Sequence, residues 1–151
     1  MLFRSPNFVP TAQKAEPAPQ PVDITRDEKK FLILIRNEVF VLVRALAIGD
    51  YERAAPLFAR ADSDLAWTET QLEDLMKVYY ADHQRIRTDS PARSANFFHS
   101  RRDPATGEWE IEQILVDAEE KNDWALELKV DTAQSQRLQK PVLKLKAIRA
   151  L

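Results

Sequence analysis

A doubled alternation of apolar and charged positions runs through residues 108–131. Trp109, Ile111, Gln113 and Leu115 fall on one face of an extended segment, with Glu108, Glu110 and Glu112 on the other. After a polar break at 117–123, Trp124, Leu126, Leu128 and Val130 alternate with Ala125, Glu127, Lys129 and Asp131. A period of two marks a strand with one buried face, and the short polar break suits an antiparallel hairpin. Each strand opens on a tryptophan. Filling the core is the ordinary role of such side chains; flooring a ligand pocket is the alternative.

Upstream, the period becomes helical. Thr25 with Glu28 has the spacing of a capping box and predicts a helix to about Ile48, with Gly49 at its stop. Phe31, Ile35, Val39, Leu42 and Leu46 share one face, while Lys30, Asn37 and Arg44 recur every seven residues as a narrow polar stripe. The remaining sides are mostly apolar, which predicts burial on more than one side, in a groove or at a subunit interface. Asp50 caps a second helix from Tyr51 to about Ala61, bent at Pro56. A loop through 62–64 follows. Thr70 with Glu73 opens a third helix that carries Leu72, Leu75, Met76, Tyr79 and Tyr80 and ends near Asp82.

Beyond it, short strands are expected at 84–89 and 93–102, a turn at 103–107, and a last strand at 141–149. The order predicts an α+β domain over residues 24–151: three N-terminal helices packed on a curved antiparallel sheet of four to five strands. Residues 1–23 hold five of the nine prolines and read as a disordered, proline-rich tail. Leu2, Phe3, Phe8 and Val9 form an apolar cluster within it; an unstructured end and a docking segment are the two readings.

A net charge of -2 argues against a globally basic nucleic-acid binder. There is no cysteine, hence no disulfide and no thiolate chemistry. No secretory signal is evident. Arg36, Asn37, Glu38 and Arg44 interrupt the apolar run 31–48, so it is not read as a membrane span. A cytoplasmic location is expected.

The layout resembles the nuclear transport factor 2-like fold, the cone shared with ketosteroid isomerase and polyketide cyclase types. The residues that carry the likeness are the long first helix, the Ala47-Ile-Gly-Asp-Tyr-Glu52 start of the second helix, the third helix and the terminal meander. A closer resemblance lies in Trp109-Glu-Ile-Glu-Gln-Ile-Leu-Val-Asp117, Asn122-Asp-Trp124, Val130-Asp131, Pro141-Val-Leu143 and Ile35-Arg-Asn-Glu-Val39. These are similar to an uncharacterised C-terminal domain of some bacterial DEAD/DEAH-box helicases. That resemblance implies a helicase-associated module with no established activity. The chain itself contains no ATPase motor and no Gly-rich phosphate loop, having only Gly49 and Gly107.

Three function classes follow. The leading one is a non-enzymatic protein-interaction module with a protein partner, a helicase or an RNA-handling complex, and no cofactor. Its contact surfaces would be the first helix, the curved sheet and the apolar N-terminal cluster. A homodimer through the sheet is included, because Ile114, Val142 and Ile148 fall on nominally outer faces. The second is a small-molecule binder or cone-pocket enzyme. The cone resemblance implies an acid or base inside it, with Tyr79, His83, His99 and Gln113 as the candidates. A fold does not carry its activity with it, and helix-end and strand histidines are commonly structural. The third is an RNA-binding accessory using Arg85, Arg87, Lys144, Lys146 and Arg149. Edge protection and cross-strand pairing with the glutamates explain the same bases. No histidine stands in a metal-ligand spacing. The acidic turn at Asp117, Glu119, Asn122 and Asp123 lacks the glycine and closing glutamate of a calcium loop, so no metal is expected.

Overall fold

The computed structural model describes residues 23–61 and 65–151. The expected tail, except for Asp23, and the loop at 62–64 lie outside the described residues. The observed order is α1 (Glu28–Ala47), α2 (Tyr51–Ala54), β1 (Ala59–Arg60), α3 (Glu69–Asp82), β2 (Phe98–Arg102), β3 (Trp109–Leu115), β4 (Trp124–Val130), α4 (Thr132–Leu138) and β5 (Leu143–Ala150). One five-stranded sheet has the order β1-β5-β4-β3-β2. The domain is therefore α+β, as expected.

The β3–β4 hairpin is the centre of the sheet. Trp109 pairs with Val130 and Leu115 with Trp124, so the two indoles stand at opposite ends of the ladder. Both are buried and belong to the core. β5 closes on β4 with a register shift: Glu127 faces Ala147, but Leu128 faces Leu145. One extra residue, Lys146, is thus accommodated on β5 and reverses which parity faces inward. Leu143 and Leu145 point to the core before the bulge and Ile148 after it. The expectation that Ile148 lies on the outer face is corrected by this bulge, and Ile114 is buried as well. The apolar argument for pairing two sheets is reduced accordingly.

α1 buries the predicted stripe completely: Phe31, Ile35, Val39 and Leu46 are 0% exposed and Leu42 1%. Truncating such a side chain, Phe31→Ala for example, costs about 3–5 kcal/mol. The helix does not sink on every side, however. Ile33, Leu34, Val41 and Ile48 remain exposed. Asp27, rather than Thr25, caps its start by accepting the Lys30 N–H. At its end Gly49 takes φ +72, the Gly49 N–H donates to the Leu46 carbonyl and the Asp50 N–H to the Ala45 carbonyl. This is a Schellman stop, for which glycine is the unstrained residue.

Other expectations shift for identifiable reasons. The second helix is a single turn, because Pro56 has no N–H to continue it. The chain then forms β1, which pairs in parallel with β5, so the sheet is mixed rather than wholly antiparallel. The capping box of α3 is Thr68 with Gln71, two residues before the expected pair. The strand expected at 84–89 is one bridge, Ile86 to Asp117. The strand expected at 93–102 is preceded by two 3-10 turns, Pro91–Arg93 and Ala95–Phe97. α4 was not anticipated. Asp131 caps it, and the Ser135 hydroxyl accepts the Val142 N–H at 2.8 Å, tying the helix to the approach to β5. Among the described residues, no helix is long and apolar enough to cross a membrane.

Candidate functional site

His83 is the C-cap of α3, with its N–H on the Tyr79 carbonyl. Its ring meets the connection between β3 and β4. Nε2 lies 2.8 Å from Asp123 Oδ1, and Nδ1 lies 3.3 Å from Glu119 Oε1 and 3.8 Å from Asp117 Oδ2. The ring centroid is 4.9 Å from that of Tyr79, which packs edge-on to Trp124 at 5.6 Å. His83 and Asp117 are buried, at 3% and 0% exposure, whereas Glu119 and Asp123 are exposed. Asp117 orders the connection. Its carboxylate accepts the N–H groups of Lys121 and Asn122, each at 2.9 Å, and its carbonyl accepts that of Glu120. These bonds hold Glu120 and Asn122 at φ +60 and +52, a region that side chains other than glycine enter at a cost.

Both ring nitrogens face carboxylates, and only the imidazolium can donate from both. Burial works against that charge, but hydrogen bonds to Glu119 and Asp123 and the field of Asp117 outweigh it and raise the His83 pKa above its ordinary value. For Asp117, burial favours the neutral acid. The Lys121 and Asn122 amides and the His83 charge prevail, so its pKa is lowered. Burial, then the charge of Asp117, pushes the Tyr79 phenol well above its usual range. Its hydroxyl donates to the Arg85 carbonyl at 3.1 Å. Tyr79 is therefore a committed donor, not a base.

No metal was expected from the spacing of the sequence. Folding nonetheless brings ligand atoms of His83, Asp117 and Glu119 within 4.8 Å of one another, the group among the described residues that could gather round a metal ion. Asp117 already meets two amides, and His83 already meets Glu119 and Asp123 through its two ring nitrogens. The cluster is complete as a charged clasp between α3 and the β3–β4 connection.

The four expected pocket residues do not converge. Tyr79 and His83 share the buried clasp. His99 is exposed on β2, with Nδ1 3.1 Å from Glu112 and Nε2 3.1 Å from the Asn96 carbonyl. Gln113 is buried on β3 between Phe98 of β2 and Leu126 of β4, its amide donating to the Phe97 and Ile114 carbonyls. A single cone pocket built from them is thereby corrected: these positions belong to three separate places.

The expected basic patch is likewise divided. Arg87 pairs with Asp89 and Glu120, and Arg149 with Glu127. Arg85 is exposed in the loop after α3, Lys146 is exposed on β5 and Lys144 is half-buried. Arg101–Glu110 and His99–Glu112 add further cross-strand pairs. The outer sheet face thus interleaves both signs.

A different cationic surface lies along α1. One hollow of about 560 Å³ is lined by Ile33, Arg36, Asn37, Phe40, Val41, Arg44, Arg93 and Gln113. A second, of about 380 Å³, shares Val41 and Arg44 and continues to Ile48, Arg53 and Thr88. The Arg44 and Arg93 guanidinium groups lie over Phe40, 5.2 and 5.9 Å from its centroid, and Arg36 lies 5.6 Å from that of Phe98. Arg36 also donates to the Arg93 carbonyl at 2.8 Å. Gln113, at the base of this groove, is the one expected pocket residue found here. Arg36 and Arg44 were not expected as site residues, although Asn37 and Arg44 belong to the predicted polar stripe and Leu34, Val41 and Ile48 repeat with the same period of seven.

No curated protein and no solved structure matches the chain. One family model does, over residues 3–148, and by that match the chain belongs to the family described as a domain of unknown function (DUF3516).

Proposed function

We propose that the domain is a non-enzymatic protein-interaction module that serves a helicase or RNA-handling complex, with the outward face of α1 as its contact surface. One observation carries this reading. Ile33, Leu34 and Val41 are 49%, 39% and 36% exposed along α1, which otherwise anchors the core, and Ile48 at its C-cap is 76% exposed. Isolated exposed apolar residues need no explanation, but a row of them beside a groove marks an interaction surface. The helicase assignment rests on the resemblance in residues 35–39 and 109–143. The RNA reading is weaker, since Arg87 and Arg149 of the proposed patch are engaged by carboxylates.

The test places a photo-crosslinking residue at Val41 in one sample and at Lys146, on the sheet, in another. Both are irradiated in nuclease-treated native extract. A helicase or ribonucleoprotein protein joined through position 41 and not through position 146 supports the module. Crosslinks from position 146 alone, or none from 41, would remove α1 as the contact surface.

A further inference from the structure

We infer that the groove along α1 accepts an acidic amphipathic segment of a partner protein, a helix with apolar residues on one face and carboxylates about two turns apart. This rests on the reading of α1 as the contact surface and specifies what that surface takes.

The groove lining contains Arg36, Arg44, Arg53 and Arg93 and no carboxylate. Arg53 is paired with Asp50. Arg36, Arg44 and Arg93 form no ion pair among the described residues, whereas Arg87, Arg101, Arg102 and Arg149 each do. Their guanidinium groups are instead positioned over Phe40 and Phe98. Arg36 gives one N–H to the Arg93 carbonyl, and its other donors and those of Arg44 and Arg93 are available to an incoming acceptor, for which the planar guanidinium fork suits a carboxylate. Arg36 and Arg44 are eight residues apart on one helix, about 12 Å at the α-helical rise. Two carboxylates separated by two turns of a partner helix match that span. Ile33, Val41 and Ile48 interleave with the arginines and would meet the partner's apolar side chains, as in helix-in-groove recognition.

Other occupants fit less well. A second copy docked by two-fold symmetry would bring this arginine-rich face against itself. Residues 1–22 carry Arg4 and Lys14 against Glu16, so they add cations to a cationic groove. RNA phosphates would engage the arginines but leave the apolar row uncovered.

The experiment uses the full chain and fluorescence anisotropy with labelled probes. The first is an amphipathic helical peptide with leucines on one face and glutamates eight residues apart. The second replaces those glutamates by glutamine, the third by lysine, and the fourth is a single-stranded RNA oligonucleotide. Saturable binding of the glutamate peptide is expected. The glutamine peptide should bind on the order of tenfold more weakly, as lost charge-assisted hydrogen bonds require. Arg44→Glu/Arg93→Glu should lose the glutamate peptide and gain the lysine one. Both arginines are exposed, and an unchanged circular dichroism melt verifies the fold of that variant.

Equal affinity for the glutamate and glutamine peptides would overturn the inference. So would absence of peptide binding up to millimolar concentration, or RNA binding that is tighter and lost in the same variant. The two readings fail separately. A partner crosslinked through Val41 by a segment without acidic residues keeps α1 as the contact surface and sinks the acidic-segment inference.

Discussion

Replacing Asp117 by asparagine tests the clasp with almost no change of volume. The carboxylate accepts the Lys121 N–H through Oδ1 and the Asn122 N–H through Oδ2, both at 2.9 Å. An asparagine side chain has one acceptor oxygen, so one of these N–H groups would face an NH2 group. A buried donor left unmet costs about 1–3 kcal/mol. The imidazolium of His83, 3.8 Å away, also loses a negative neighbour. That separation is too long for a hydrogen bond, and Glu119 and Asp123 still meet the buried ring, so its charge is not left uncompensated and this part adds about 1 kcal/mol, well below the ~3–5 kcal/mol of a buried pair broken outright. The expected loss is about 2–4 kcal/mol, which lowers the melting temperature on the order of 10 °C for a chain of this size. Urea unfolding at pH 6, followed by tryptophan fluorescence, reads it directly because Trp124 opens β4 beside the clasp. Amide exchange at Lys121 and Asn122 should accelerate in the same variant. A destabilisation below about 1 kcal/mol with both amides still protected would refute the reasoning, since the connection would then not depend on the carboxylate.

The remaining predictions concern pH and two caps. The His83 pKa is raised in the fold, so its stabilising contribution is full below the unfolded value near 6.5 and is lost as pH rises through the folded value. The urea midpoint should fall over that interval, and His83→Gln should flatten the fall. Asp117 has the opposite sign: its contribution is present above the unfolded value near 3.8 and is lost as pH drops through its lowered folded value. Acid titration of Asp117→Asn should lack that limb. Tyr80 donates to the Leu46 carbonyl at 3.0 Å near the end of α1, so Tyr80→Phe should cost about 0.5–1.5 kcal/mol in urea unfolding. Thr68→Ala removes one half of the α3 capping box and should cost about 1 kcal/mol in the same assay.

Elements held by local chemistry were legible in the sequence. The alternation in 109–115 and 124–130 specified two strands, their shared buried face and the hairpin between them, because side-chain period and turn polarity are local properties. The spacing from Phe31 to Leu46 specified α1 and its core stripe, and Gly49 its stop. Tertiary contacts decided the rest. β1 is two residues long and exists because β5 offers a parallel edge. The bulge opposite Glu127 and Leu128 turned Ile148 inward, a choice of register that no single segment encodes. His83 meets Glu119 and Asp123 across 36 and 40 residues, so spacing rules for metal or catalytic motifs could not bring the clasp into view. The arginine groove likewise joins α1 to Arg93 in the turns before β2. The local pattern determined which faces are apolar; the packing of α1 on the sheet decided which of those faces stayed in contact with water.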